Sequence, residues 1–462
     1  MEKWASKELE HVDLGDARRN KRLVRIVEDL AAQPTSSVPQ ACGSVAATTA
    51  AYDFWSSPYF KPDDIRYGHI KATLERVKEH NIVLMIQDTT SIDLTTHPAT
   101  KEIGYLDNRY CFGLKVHSTL AASIDGIPLG IVNQQVWARD IEDLGIAKKR
   151  HKRKIEEKES QRWLDGLEQT QEFVPSEITV VTMADSEADI FELFHTKRPN
   201  NSHLLIRGTH NRKVNHTAEY LHEAIRATPT CGKLTVSLKR NPEGAAITAE
   251  LIIRFATIEI DVPQNHIGRS QLKPVKLLVI LAEEKNPPEG VTPISWLLLT
   301  TLEVNSFEDA ILCVKWYTYR WLIERYHYTL KSGCKIEELQ LETAQRINMA
   351  LATYSIVAWR LLWLTYEARH NPDVSCETVL DTVEWQALCV TITKNPIPPE
   401  KPPTLREAVR MIAKLGGFLG RKGDGEPGVK TIWRGLRRLH DIATTWKERS
   451  PDLREQSALN TG

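Results

Sequence analysis

Two apolar runs, IVLMI at 82–86 and ITVVTM at 178–183, are each followed within two residues by an aspartate, Asp88 and Asp185. Short runs rich in Val and Ile that stop at polar turns are strand patterns. Further runs at 115–122, 127–136 and 203–206 alternate with helical stretches between about residues 62 and 369, so this segment reads as an α/β core. A carboxylate at the end of such a strand emerges at the sheet edge, toward whatever lies above it. Taken singly, either aspartate reads equally well as a helix N-cap or an Asx-turn. At Asp185 a capping box of Ser186 with Asp189 would leave the first carboxylate free. Two such carboxylates, each expected to precede a helix, are more than background.

The flanks differ from this core. Residues 1–61 contain LGDARRNKRLVRIVEDLAAQ, where Leu14, Leu23, Ile26 and Leu30 are spaced for one helical face and Arg18, Arg19, Lys21, Arg22 and Arg25 crowd the rest. Such a helix grips phosphates or is a solvated basic surface. Between about 225 and 305 helical periodicity vanishes and KLTVSLK, AELIIRFATIEIDV, PVKLLVILA and WLLLTTL read as successive strands, an all-β insertion. A long helix is expected from about Ser306 to Lys331. After HNPD at 370–373 the chain is helical again to 462, with a stiff NPIPPEKPP connector and two helices about a Gly-rich turn. Between Lys401 and Arg449 twelve basic residues outnumber five acidic ones, although the 60 basic and 60 acidic residues of the whole chain cancel. Bulk charge therefore argues for no partner, and only its distribution does.

Other classes are disfavoured. Seven cysteines without a C-x-x-C pair give neither a disulfide framework nor a zinc ribbon, and His117 and His327 have no H-E-x-x-H context. Apolar runs such as Trp296–Leu299 are short for a membrane span. The first residues lack the basic and apolar regions of a secretory signal, so the expected compartment is the cytoplasm. No fixed-period repeat is evident. The basic cluster at 148–154 is either a phosphate patch or a charged helix start.

Within 316–333, WYTYRWLIERYHYTLKSG, the residues Arg320, Glu324 and Lys331 follow Tyr317 by 3, 7 and 14 positions. At about 100° per residue they fall on one narrow helical stripe. An Arg-to-Glu i,i+4 pair on a solvated face explains part of this pattern, at about 0.3–0.5 kcal/mol, but not Tyr317 and Lys331 on the same stripe. Two aspartates and a glutamate are the hard oxygen ligands that hold paired divalent cations in phosphodiester chemistry. Arg320 and Lys331 would grip phosphates as a fork and a point charge.

The motifs D-T-T-S at 88–91, D-S-E-A-D at 185–189 and Y-(2)-R-(3)-E-(6)-K at 317–331 resemble those of the DDE transposases of the insertion-sequence-four family. So do LGDARRNKRL at 14–23, PISWLLLTT at 293–301 and LGGFLGRKGDGEPG at 415–428. The resemblance implies a ribonuclease-H-like catalytic core with an all-β insertion, flanked by α-helical N-terminal and C-terminal domains at 1–61 and 370–462. It implies a metal-binding catalytic triad of Asp88, Asp185 and Glu324, with two Mg²⁺ per active site or Mn²⁺ in their place. Tyr317, Arg320 and Lys331 match DNA contacts beside the scissile phosphate, and Trp296 matches an aromatic that stacks on a flipped base. By its residue pattern alone Trp296, beside three leucines, equally suits a core position. Arg207 matches an arginine near the active site, and Arg19 and Arg22 match basic residues of the end-recognising helix. Asp93, Glu187 and Asp189 match no triad position, and Asp189 is assigned to the cap. The implied function is a cut-and-paste transposase that binds terminal inverted repeats, cleaves with a hairpin intermediate and joins 3′-hydroxyl ends to target DNA. The implied partners are double-stranded DNA and a second copy of the chain, with no membrane. Two alternatives remain at this point, a structure-selective nuclease of the same fold and a non-catalytic DNA-binding regulator.

Overall fold

The computed structural model describes residues 4–140, 153–217, 219–238, 247–287 and 292–449. Most of the 148–154 basic cluster, the NPEG turn at 241–244 and part of the NPPEG turn lie outside the described residues.

The amino-terminal helices are α1 (Trp4–Glu8), α2 (Ala17–Ala32), α3 (Val38–Cys42) and α4 (Val45–Trp55), followed by α5 (Pro62–Val77). Asp16 caps α2 by accepting from the Arg18 backbone N–H at 2.8 Å. Leu23, Ile26, Val27 and Leu30 form its buried stripe, while Arg18, Lys21, Arg22 and Arg25 face water. Leu14, expected on that helical face, is buried but lies ahead of the helix, because the cap starts the helix at Ala17.

Among the described residues ten strands make one sheet: β1 (Ile82–Asp93), β2 (Gly104–Tyr105), β3 (Phe112–Ser123), β4 (Pro128–Trp137), β5 (Thr179–Ala184), β6 (Ser202–Arg207), β7 (Gly232–Leu238), β8 (Ile247–Ile260), β9 (Val275–Glu284) and β10 (Ser295–Thr300). β3 pairs antiparallel with both β4 and β1, and β1, β5 and β6 run parallel. The crossovers are α6 (Gln161–Phe173), between β4 and β5, and α7 (Phe191–His195), between β5 and β6. The strands of the expected all-β insertion do not form a separate layer. β10 pairs antiparallel with β6, and β9, β8 and β7 follow in order, so the insertion prolongs the core sheet at its edge. That arrangement satisfies the open edge of β6. α8 (Leu221–Ala227) precedes these strands.

The expected long helix is interrupted. α9 (Phe307–Thr318), opened by a Ser306/Asp309 capping box, gives way at Tyr319–Arg320 to α10 (Trp321–Tyr328), which ends in a single π turn at Thr329–Gly333. Gly333 sits where a Cβ would meet the Trp433 ring at 2.8 Å. The π turn therefore coincides with the close approach of another helix.

α11 (Ala344–His370) is buried along most of its length against α2, α5 and β4. By length and composition it is apolar enough to cross a membrane, contrary to the expectation that no segment approaches this, but 83% of the tested window is buried inside the protein. It is thus the central core helix. α12 (Thr382–Thr393), α13 (Leu405–Leu415) and α14 (Val429–Arg449) pack together around Trp385, Leu388, Ile412 and Ile432.

Candidate active site

Strand pairing determines where the acids stand. The parallel register of β1 with β5 runs from Ile82/Thr179 to Ile86/Met183, and β5 ends at Ala184. Asp88 and Asp185 therefore leave the same end of two adjacent parallel strands, the edge where α/β sheets place ligands. Arg207, exposed at the end of β6, shares that edge. Contrary to the sequence expectation, Asp88 does not end its strand and no helix follows it. β1 continues to Asp93 because β3 stays paired with it, with Asp88 opposite Ser118.

The local capping at Asp185 also differs from expectation. Asp185 is itself the cap, accepting from the Glu187 N–H at 2.9 Å. The Asp189 side chain makes no capping box with Ser186: it is buried, paired with Arg212, and accepts from the backbone N–H groups of Thr209 and His210 at 2.7 and 2.8 Å, while its own N–H closes the turn onto the Ser186 carbonyl. A long-range arginine has taken the side chain that a local motif would have used. Asp93 accepts from the Thr95 N–H at 2.9 Å, and Glu187 pairs with Arg162 at 2.8 Å.

α10 packs against β1 and β3 and brings the third acid to this edge. His327 Nδ1 lies 3.6 Å from Asp88 Oδ2, and Arg320 donates to Glu324 Oε1 at 2.5 Å. The carboxyl pKa of Asp185 is raised, chiefly by burial and further by the negative charge of Asp88, against the cap hydrogen bond from Glu187 and the charges of Arg320 and Arg162. Burial pulls the Arg320 pKa down, but Tyr317, Glu324 and Asp88 outweigh it, so the guanidinium stays charged among the acids. Burial pushes the Tyr317 hydroxyl up to about 12 against Arg320 and Arg207. Tyr317 is 5% exposed, with its ring edge-on to half-buried Trp296 at 6.1 Å. Lys331, in the π turn, donates to the Ser91 carbonyl at 2.9 Å and pairs with Glu337 at 3.1 Å. Arg19 and Arg22 belong to the amino-terminal helices. Arg19 donates to the Leu14 carbonyl at 3.0 Å and lies 4.2 Å over the ring of Tyr59, while Arg22 is exposed.

The donors suit a divalent cation in kind: oxygen ligands only, two of them close enough to repel each other. Among the described residues no three His, Cys, Asp or Glu side chains stand close enough to hold one ion, and Glu324 is instead paired with Arg320. Binding of an ion by all three acids therefore requires Glu324 to turn from Arg320. His327, weighed from the sequence only as a zinc ligand, and Arg162, not singled out there at all, also belong to this neighbourhood. Each acts through a partner distant in sequence, and neither stands in a local motif. The one available signal was a histidine in the middle of a strand, His117 in LKVHSTLAA.

Residues 1–59 match a family model described as transposase DNA-binding. Residues 356–448 match the transposase Tn5 dimerisation domain, whose span begins inside α11. In the sequence these matches lie on either side of Asp88, Asp185 and Glu324, and together they support a Tn5-like transposase, a protein that binds DNA and pairs with a second copy of itself.

Proposed function

We propose that the chain is a cut-and-paste DNA transposase of the DDE kind. Its helices up to about residue 61 would grip terminal inverted repeats, and the helices after 370 would pair two protomers across two DNA ends in the cytoplasm. The observation that carries the reading is the convergence of Asp88, Asp185 and the Arg320–Glu324 pair at one end of the parallel strands, between two segments matched to transposase domains. The order β4-β3-β1-β5-β6, with only the last three parallel, supports a ribonuclease-H-like core.

Asp88, Asp185 and Glu324 would hold two Mg²⁺ or Mn²⁺, which supply activation of the attacking oxygen and stabilisation of the leaving oxygen. Arg320, already charged and half enclosed, would bind the phosphate that displaces it from Glu324. Lys331, tied to the backbone three residues beyond Asp88, would fix the phosphate backbone beside the cut. Trp296 and Arg207 line the same edge, where an aromatic face would receive an unstacked base and a guanidinium its phosphate. Water as nucleophile gives a nick. The freed 3′-hydroxyl would then give a hairpin at the element end, and after reopening would join to target DNA.

The test is incubation with candidate element-end DNA and Mg²⁺, followed by a denaturing gel resolving nicks, hairpins and joined products. The Asp88→Asn, Asp185→Asn and Glu324→Gln variants should retain DNA binding and form none of these. Nicks without joining under any condition would indicate a nuclease, and binding without any cut by the unaltered protein would indicate a regulator.

A further inference from the structure

We propose that Arg162 is a positioning residue that fixes the turn carrying Asp185 relative to the strand carrying Asp88. The inference rests on the catalytic reading above and names a residue outside the triad and its helical signature.

Arg162, in the first turn of α6, spends each nitrogen of its fork on a different segment. Nε donates to Thr89 Oγ1 at 2.8 Å, Nη1 to the Glu159 carbonyl at 2.9 Å and Nη2 to Glu187 Oε2 at 2.8 Å. Thr89 directly follows Asp88, and Glu187 is the residue whose N–H donates to the Asp185 carboxylate at 2.9 Å. One rigid planar group thus spans the two aspartate segments.

The β1 end of the clamp is itself immobilised. Having accepted from Arg162, the Thr89 hydroxyl donates to His117 Nδ1 at 2.9 Å, and the opposite ring nitrogen of His117 donates to Gln87 Oε1 at 3.1 Å. These roles are those of a neutral His117, the form that burial favours by holding its pKa well below the usual value. Gln87 and Thr89 flank Asp88, and the alternation of a strand turns both to the opposite face of the sheet from the carboxylate. Trp163 packs edge-on against His117 at 4.6 Å. Gly166 lets α6 approach, since a Cβ there would meet Gln87 Oε1 at 2.8 Å. Both neighbours of Asp88 are therefore pinned from below by α6.

Stability alone does not account for the outer link. The Glu187 side chain is 64% exposed, and an ion pair with so wet a carboxylate is worth little to the fold. What the pair does is hold the turn. Displacement of catalytic groups by about 1 Å is enough to cost on the order of 10²-fold in rate.

The experiment compares unaltered protein with Arg162→Lys, which keeps the charge and loses the fork, and with Glu187→Gln, which alters only a surface carboxylate. Three quantities are measured: nicking rate at saturating end DNA, affinity for that DNA, and Mn²⁺ affinity of the DNA-free protein by electron paramagnetic resonance. Both variants should nick about 10–100-fold more slowly and bind Mn²⁺ more weakly, with DNA affinity within about twofold, since neither change touches the basic helices. Nicking and Mn²⁺ affinity of unaltered size in Glu187→Gln overturn the proposal, as does a rate loss in both variants matched by an equal loss of DNA affinity. If Arg162→Lys fails to fold, Glu187→Gln decides. Unaltered protein that neither nicks nor binds Mn²⁺ overturns the catalytic reading and the clamp with it, whereas a clamp failure alone leaves that reading standing.

Discussion

In the proposed reaction Arg320 and Trp296 would divide the work of the site between charge and stacking. Arg320 is the cation whose field reaches Glu324, Asp88 and Asp185 together. In the state described here it offsets acid repulsion within the protein, and in the DNA-bound state the same charge would face the phosphate. Removal of a preorganised group facing developing charge costs about 10²–10³ in turnover. Arg320→Ala should therefore lower nicking by that order in single-turnover assays, and Arg320→Lys should recover only part, lacking the fork. A Lys variant as fast as the natural protein would show that only net charge matters here. Trp296, half-buried beside Tyr317, carries a different expectation. Base stacking on an aromatic is worth about 1–3 kcal/mol, so Trp296→Ala should slow hairpin formation while leaving the first nick near its normal rate. An equal loss at both steps on a time-resolved gel would assign Trp296 to the core instead.

At the scale of elements, the contact of α6 with β1 is a close approach that leaves no room for a larger residue at Gly166. Gly166→Val places carbon against Gln87, an overpacking that costs about 1–3 kcal/mol. It should lower the urea midpoint, and a midpoint unchanged from the natural protein would mean that α6 has room to move outward. This contact shows what the sequence does and does not disclose. The aspartate-bearing strands were legible because a buried strand is written in consecutive residues, α2 because its apolar face of Leu23, Ile26 and Leu30 repeats within a few turns, and the start of α9 because its cap, Ser306, is local; the Asp16 cap went unread, which is why Leu14 was placed on the helix. Asp189 was misread because its partner Arg212 lies 23 residues away, too far to compete visibly with a capping box. The break at Tyr319–Arg320 and the π turn before Cys334 were not visible either, the latter because it meets Trp433 of α14. The strands after residue 230 were recognisable singly, but nothing in their alternation says that β10 pairs with β6. The site follows the same rule. Its acids announce themselves in short motifs, whereas Arg162, which joins the segments that carry two of them, shows only in the folded chain.

For the whole molecule, the question is how the amino-terminal helices are fixed to the central sheet. α1 ends in Glu8, whose buried carboxylate accepts from His69 Nδ1 at 2.5 Å and from both terminal nitrogens of Arg76 at 2.8 and 3.0 Å, both residues on α5. His69 Nε2 accepts from the Ile131 N–H at 3.0 Å, so the ring is neutral and spans α1 to β4. Arg76 in turn lies 4.3 Å over the ring of Trp359 in α11. Burial pushes the Glu8 carboxyl up, but His69 and Arg76 outweigh it and hold it at about 2, against 4.5 for the free group. A depressed carboxyl pKa contributes stability that is fully present above 4.5 and is lost as pH falls through that window toward 2. The difference amounts to about 3 kcal/mol at neutral pH, in line with about 3–5 kcal/mol for breaking a buried pair from one side. Glu8→Gln should accordingly lower unfolding free energy by that order at pH 7 in urea titrations. The gap to the natural protein should shrink by more than half at about pH 3, where the natural carboxylate has itself lost most of its advantage. A gap of equal size at both pH values would show that Glu8 acts through packing rather than charge, and that the amino-terminal helices are held to the sheet by their apolar contacts alone.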